Sequence, residues 1–196
     1  MIQGEALSAL DSRWYPALLA AVAAERIFEV WLSQRNARRA LERGGIEYGR
    51  DHYPWMVALH SSFFAACLLE VGLLDRPFRP GLAALCLLLV ALTMALRYWA
   101  VLSLGARWNT RVVCEPGVPA VTAGPYRFLR HPNYLAVTIE LAALPLVHGA
   151  WATSVIFSLL NAWMLHVRIG VEEAALSEHS DYQRLFALDG RSSGEA

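Results

Sequence analysis

The stretch GLAALCLLLVALTMALRYWAVLSL, residues 81–104, holds one charge, Arg97, in 24 positions. A helix of that length reaches about 36 Å at 1.5 Å per residue, enough to cross a hydrocarbon core of roughly 30 Å. Outward from it lie two further long apolar runs, Trp55 to Leu74 and Ala150 to Val167, and a shorter one, Asn133 to His148. The short run must stand nearly upright or end in the interface. An earlier run, Trp14 to Leu32, is interrupted by Glu25, Arg26 and Glu29. Such charges enter a bilayer only if they pair or face other helices, and Arg26 sits between two acids, with Glu29 three residues on. The composition, 56% hydrophobic and 17% charged, is too apolar for a soluble domain of this size. These features predict an all-α polytopic membrane protein of about five transmembrane helices, forming one domain over residues 1–196.

The chain contains no lysine, so its fixed positive charge is all arginine. With five spans, the segment between the first and second helices (Arg35, Arg38, Arg39, Arg43, Arg50) shares a side with the segment between the third and fourth (Arg107, Arg111, Arg127, Arg130) and with the C-terminal Arg168, Arg184 and Arg191. The opposite side has Arg13, Arg76 and Arg79. Twelve against three assigns the arginine-rich face to the cytoplasm. No cleavable signal peptide is expected, because the first apolar run has no basic segment before it and arginines after it. A net charge of zero argues against nucleic acid as a partner. Cys67, Cys86 and Cys114 lack metal-ligand spacing, and His60 and His166 lie in apolar runs, so no metal site is predicted and packing accounts for them. Glu70, near the outer end of the second helix, is expected to snorkel to the surface.

The outer connections are short, whereas residues 105–132 form a proline- and glycine-rich inner loop of the length that is usually functional or disordered. It ends in Gly124-Pro125-Tyr126-Arg127-Phe128-Leu129-Arg130-His131-Pro132-Asn133-Tyr134. Pro132 suits the first turn of the fourth helix and Asn133 can satisfy its free amides. Arginine and tyrosine are common at headgroup depth, yet Tyr126, Arg130, His131 and Tyr134 crowd into nine positions, which also suits a binding site. Beyond the fifth apolar run comes Arg168-Ile-Gly-Val-Glu172-Glu173-Ala-Ala-Leu176, with an amphipathic extension of that helix to Phe186. Arg168 and Glu172 are one turn apart and can pair, and Glu173 points about 100° away. A carboxylate there either forms a solvated salt bridge or accepts from vicinal hydroxyls, as of a ribose, while the arginine holds an anionic group. Glu140, two turns into the fourth helix, is a candidate base, or else the structural partner of a buried polar group such as Arg97 or Asn161.

These residues resemble the isoprenylcysteine carboxyl methyltransferase family of small integral-membrane enzymes, whose pattern is G-x-Y-x-x-x-R-H-P-x-Y followed by R-x-x-x-E-E-x-x-L. Gly124, Tyr126, Arg130, His131, Pro132 and Tyr134 match the first half, and Arg168, Glu172, Glu173 and Leu176 the second. The match covers residues 105–186. It implies S-adenosylmethionine as cofactor, bound over that part of the chain, with a lipid-like acceptor entering from the bilayer. Arg130 and His131 would hold its methionine and adenosine portions, Glu172 or Glu173 the ribose, and Arg168 would orient the acceptor's oxygen. The chain has no Gly-x-Gly, so a Rossmann-type cofactor site is not available. Many members carry glycine two residues after the motif tyrosine, where this chain has Ala136. The run around Glu140 looks more like the bacterial branch linked to polyketide synthases, which methylates hydroxyls of alkylpyrones and alkylresorcinols, where Glu140 could serve as base.

Related acceptors are a prenylcysteine carboxylate or an amine headgroup, as in phospholipid N-methyltransferases. From other classes, a non-catalytic membrane scaffold or a small transporter are the rivals; transporters are commonly built from two related halves, and no repeat is present here. Small residues from Ala20 to Ala24 suit helix packing and self-association equally, leaving the oligomeric state open.

Overall fold

The computed structural model describes residues 2–74 and 76–179, with side chains from residue 14 onward. Five helices carry the chain: α1 (Ile2–Glu42), α2 (Tyr53–Leu73), α3 (Pro80–Leu104), α4 (Pro132–Leu146) and α5 (Trp151–His179). The all-α membrane reading holds, and α2, α3 and α5 are long and apolar enough to cross a bilayer. Only 17, 28 and 22% of their apolar stretches are buried within the protein. Leu73, Leu102, Leu159 and Trp163 point outward and exposed, a surface that water would not tolerate over such an area and lipid would cover. Glu25, Arg26 and Glu29 interrupt the apolar run of α1 and α4 has 15 residues, so these two do not qualify by length and composition.

α1 is far longer than its apolar run, continuing past Leu32 to Glu42. α4 packs most extensively against α3 and then against α5. Tyr15, Leu19 and Val22 of α1 meet Phe63 and Cys67 of α2, Cys86 and Val90 of α3, Leu141 and Leu144 of α4 and Phe157 of α5 in one core. Tyr15 is fully buried there because its hydroxyl donates to the Leu144 carbonyl at 3.2 Å. The three cysteines are buried free thiols. α4 is short because Pro145 and Gly149, at φ +72°, turn the chain directly into α5.

Two local readings need correction. Glu70 does not snorkel: its carboxylate is buried and accepts from the amides of Ala152 and Thr153 at 3.1 and 2.7 Å and from the Thr153 hydroxyl at 2.7 Å. It thereby caps α5, whose first turn has unpaired amides and the positive end of the helix dipole, and Arg76 balances it at 2.8 Å. Cap interactions of this kind are worth about 1–2 kcal/mol. The inner loop is also not irregular throughout. It contains 3-10 turns at Gly105–Arg107 and Gly124–Arg127 and a strand, β2 (Val112–Cys114), that pairs antiparallel with β1 (Ile46–Tyr48), Glu47 opposite Val113. The expected extension of the last helix is present through His179; the remainder to Phe186 lies outside the described residues.

Candidate active site

The β1–β2 ribbon is the floor on which the inner ends of the helices are assembled. α1 reaches it with two buried polar side chains. Ser33 donates to Asn109 Oδ1 at 2.6 Å and accepts from the Thr110 amide at 2.8 Å, and Asn36 donates to the Trp108 carbonyl at 2.8 Å. Arg43 grips Glu115 with two bonds of 2.7 Å, which hold that carboxyl below its ordinary range. Arg111 joins Glu47 at 3.0 Å and lies over the Tyr53 ring. The far end of α5 closes the ribbon, where Tyr48 hydroxyl meets His179 and the Gly117 amide donates to the His179 carbonyl.

Between this ribbon, the loop and α5 lies a cavity of about 170 Å³. Tyr126, Arg130, His131, Glu172 and Leu176 line it, with Arg107 and Asn109 on the loop side. Part of its wall is apolar: Val112, Cys114 and Leu176 line it and belong to a small cluster with Ala175 and Tyr48. Burial and the charge of Glu172 push the Cys114 thiol up to about 11 and raise the Tyr126 phenol as well, so both are neutral at physiological pH. The Arg107 guanidinium donates to the Pro119 carbonyl at 2.7 Å and ties the loop across the opening.

A second cavity, of about 530 Å³, lies among the membrane portions of the helices. Ile27, Val30, Met56, Phe64, Val137 and Met164 contribute to its apolar surface. Tyr134, Arg168 and Thr110 are at its inner end, and Arg26, Glu29 and Arg97 also border it.

Tyr134, which lines the membrane cavity, links it to the polar one through its hydroxyl. Its hydroxyl donates to Glu172, which lines the polar cavity, and accepts from Arg168 Nε at 2.8 Å, which lines the membrane cavity. Arg168 is fixed further by the Thr110 carbonyl at 2.5 Å. Arg168 and Glu172 thus meet through the phenol of Tyr134 between them. Glu173 turns away, as the 100° step requires, and accepts from His131 Nε2 at 3.1 Å, while the His131 ring stacks on Tyr134.

The remaining residues singled out from the sequence occupy other positions. Pro132 is buried at the start of α4, with His131 as the residue before it. Gly124, at φ +62°, is docked on α3, where a Cβ would lie 2.0 Å from Ser103 Oγ and 3.1 Å from Trp99 Nε1. It shapes the turn that carries Tyr126. Glu140 does not border either cavity. It accepts from Arg97 at 2.9 Å and lies 3.5 Å from Arg26, inside a cluster that includes Glu25 and Glu29. Of the two partners considered for it, Arg97 is the one found. Asn161 instead lines the membrane cavity. The sequence reading missed Tyr48, Thr110 and His179, whose signals are three-residue strands and a carbonyl contact too short for pattern to reveal.

The sequence model of the isoprenylcysteine carboxyl methyltransferase (ICMT) family matches residues 84–178, a range that begins in α3 and ends just short of the last described residue of α5. The uncharacterized protein YpbQ of Bacillus subtilis (strain 168) is 38% identical over 164 residues, covering 83% of this chain and 96% of that one. The shared range includes both motifs, now seen on either side of the Tyr134 hydroxyl, and the chain belongs to the isoprenylcysteine carboxyl methyltransferase family of membrane methyltransferases.

Proposed function

We propose that the protein is an S-adenosylmethionine-dependent O-methyltransferase that works at the cytoplasmic face of the membrane on a lipid-like acceptor. The observation that carries this reading is a pair of cavities, one lined by Arg107, Arg130, His131 and Glu172 and the other mostly apolar, linked by the hydrogen bonds of Tyr134 to Glu172 and Arg168. The donor set of the polar cavity fits the cofactor. Glu172 gives one oxygen to Tyr134 and has the other for ribose hydroxyls; Arg130 and His131 suit a carboxylate-bearing tail; Val112, Cys114 and Leu176 offer an apolar wall for a base. At about 170 Å³ the cavity is below the roughly 300–1,000 Å³ of ordinary small-molecule sites. A ligand of this size would therefore fill it and extend along the loop held by Arg107. The arginine excess read from the sequence falls on the side of the loop that lines this cavity, which argues for the cytoplasmic side, where the cofactor is made.

Bound there, the cofactor supplies a methyl group on a sulfonium, transferable by in-line displacement. The protein's part is positioning and water exclusion. Arg168, pinned by Thr110 and Tyr134, holds the acceptor's oxygen and stabilises its deprotonated form. An acceptor that gives up its proton to solvent before transfer, as a carboxylic acid or an acidic enol or phenol does, then needs no separate base, which fits Glu140's engagement with Arg97. The same guanidinium repels a cationic amine headgroup, so oxygen is favoured over nitrogen as acceptor. The acceptor class is an alkylpyrone or alkylresorcinol hydroxyl, or an isoprenylcysteine carboxylate; a polyketide synthase is the source suited to the first two.

Calorimetry with S-adenosylhomocysteine and the purified protein in lipid-supplemented detergent tests the reading. Micromolar binding is expected, weakened at least about tenfold in Glu172→Gln, the worth of a charge-assisted hydrogen bond. Folded wild-type protein that binds none would overturn it and favour a non-catalytic scaffold.

A further inference from the structure

The membrane cavity contains a polar side chain that the protein itself leaves incomplete. Asn161, in the middle of α5, is 1% exposed and lines the cavity, and neither its Oδ1 nor its Nδ2 has a hydrogen-bond partner among the described residues. A carboxamide in such a place is destabilising unless something completes it. The neighbouring polar groups do not. His60 Nδ1 donates to the Met56 carbonyl at 2.8 Å in its own helix, and Arg26, Glu29 and Arg97 are engaged with one another and with Glu140. Asn161 is seven residues before Arg168, about 10 Å along the axis. Both side chains lean toward the N-terminus of the helix, and the longer arginine reaches farther back than the carboxamide, which shortens the interval between their polar ends. The two groups border one cavity from one face of α5, so an amphiphile whose head carries two polar atoms can meet both.

We infer that Asn161 reads a second hydrogen-bonding group on the acceptor: the cavity takes an amphiphile whose head carries a hydroxyl or carbonyl besides the oxygen held at Arg168 and Tyr134. This rests on the methyltransferase reading for the first oxygen, and Asn161 is then a specificity-determining residue. A carboxamide both donates and accepts, so it serves a hydroxyl or a carbonyl equally. An amphiphile with a single polar atom would leave the carboxamide unsatisfied, and discrimination by a missing partner is the stronger kind.

The test compares 5-pentadecylresorcinol with 3-pentadecylphenol, identical except for one hydroxyl. Retention of each by wild-type protein in nanodiscs is measured against protein-free nanodiscs, with no cofactor added. Wild type is expected to retain the dihydroxy compound about five- to tenfold better, the worth of one hydrogen bond out of water. Asn161→Leu is expected to lose that preference while retaining the monohydroxy compound undiminished. The variant removes an unsatisfied group, so its melting temperature should equal or exceed wild type, which guards against misfolding. An equal retention of both compounds by wild type, the result if water alone completes the carboxamide, overturns the inference, as does an unchanged ratio in Asn161→Leu. S-adenosylhomocysteine binding is read in parallel on both proteins and should not differ, since Asn161 does not line the polar cavity. Its absence from both would sink methyl transfer and leave the retention ratio to judge Asn161 separately.

Discussion

Replacing Arg97 with methionine should destabilise the protein far more than replacing Glu140 with glutamine, although the two side chains are partners. Arg97 is 5% exposed and Glu140 3%. Arg97 faces Glu140 at 2.9 Å and Glu29 at 3.5 Å, while Arg26 reaches Glu25 and Glu29 at 2.5 Å and Glu140 at 3.5 Å. The cluster thus has three carboxylates for two guanidiniums. Glu140→Gln balances it at two against two and keeps a hydrogen-bond acceptor for Arg97, so the loss should be about that of one charged hydrogen bond, roughly 1.5–3 kcal/mol at most. Arg97→Met leaves three carboxylates around one arginine in a low-dielectric setting, which costs about 3–5 kcal/mol or more. At about 2–4 °C per kcal/mol for a chain of this size, the second loss is about 6–20 °C in melting temperature, followed by tryptophan fluorescence in detergent. The reasoning fails if Arg97→Met melts no lower than Glu140→Gln. It fails also if Glu140→Gln melts like wild type yet abolishes turnover at every pH, the signature of a catalytic base.

Gly124→Ala should lower the melting temperature by about 2–8 °C, because a left-handed alanine costs about 1–2 kcal/mol and its Cβ also meets Ser103. Adding Ser103→Gly should restore the part due to the clash and none of the part due to φ; full recovery would refute the backbone argument. His52 supplies a pH dependence: burial first, then the Arg168 charge, hold its imidazole below 6.5, with Asp51 opposing. The unfolded chain therefore takes up the proton first, so this stability is fully present above about pH 6.5 and is lost as pH falls from there toward the folded value. His52→Asn should flatten the melting profile below pH 6.5, and an unaltered profile would dispose of the assignment.

The helices were legible because a bilayer imposes a length and an apolar composition that residues 55–74, 81–104 and 150–167 meet on their own. Arg26 likewise announced its local pairing by lying three residues from Glu29. What escaped the sequence was set by partners far along the chain. Glu70 became a cap because α5 begins beside it, 82 residues later at Ala152. The β1–β2 ribbon has three residues per strand and no alternation long enough to register, and it forms because α1 delivers Ile46 to Cys114. Within the motifs, the identities of the residues were legible and their division of labour was not. Glu172 and Glu173 differ by one position in sequence, and only the place of Tyr134 on the facing helix and of His131 just before it gives them different partners.

α5 also explains why the two motifs need a fixed distance from the membrane. Asn161, Leu165, Arg168, Glu172 and Leu176 recur at three- and four-residue steps, so they share one face of a single uninterrupted helix. The upper part of that face, to Arg168, borders the membrane cavity; the lower part, from Glu172, borders the polar one. A helix held at its N-terminus by Glu70 and at its far end by the ribbon cannot slide, and its pitch sets Arg168 and Glu172 one turn, about 5–6 Å, apart along the axis. Tyr134 from α4 fills that interval with a hydroxyl bonded to both. The register between the two cavities is therefore built into one stripe of one helix. A residue inserted between positions 168 and 172 would rotate the lower half by about 100° and separate the sites without removing any of their residues.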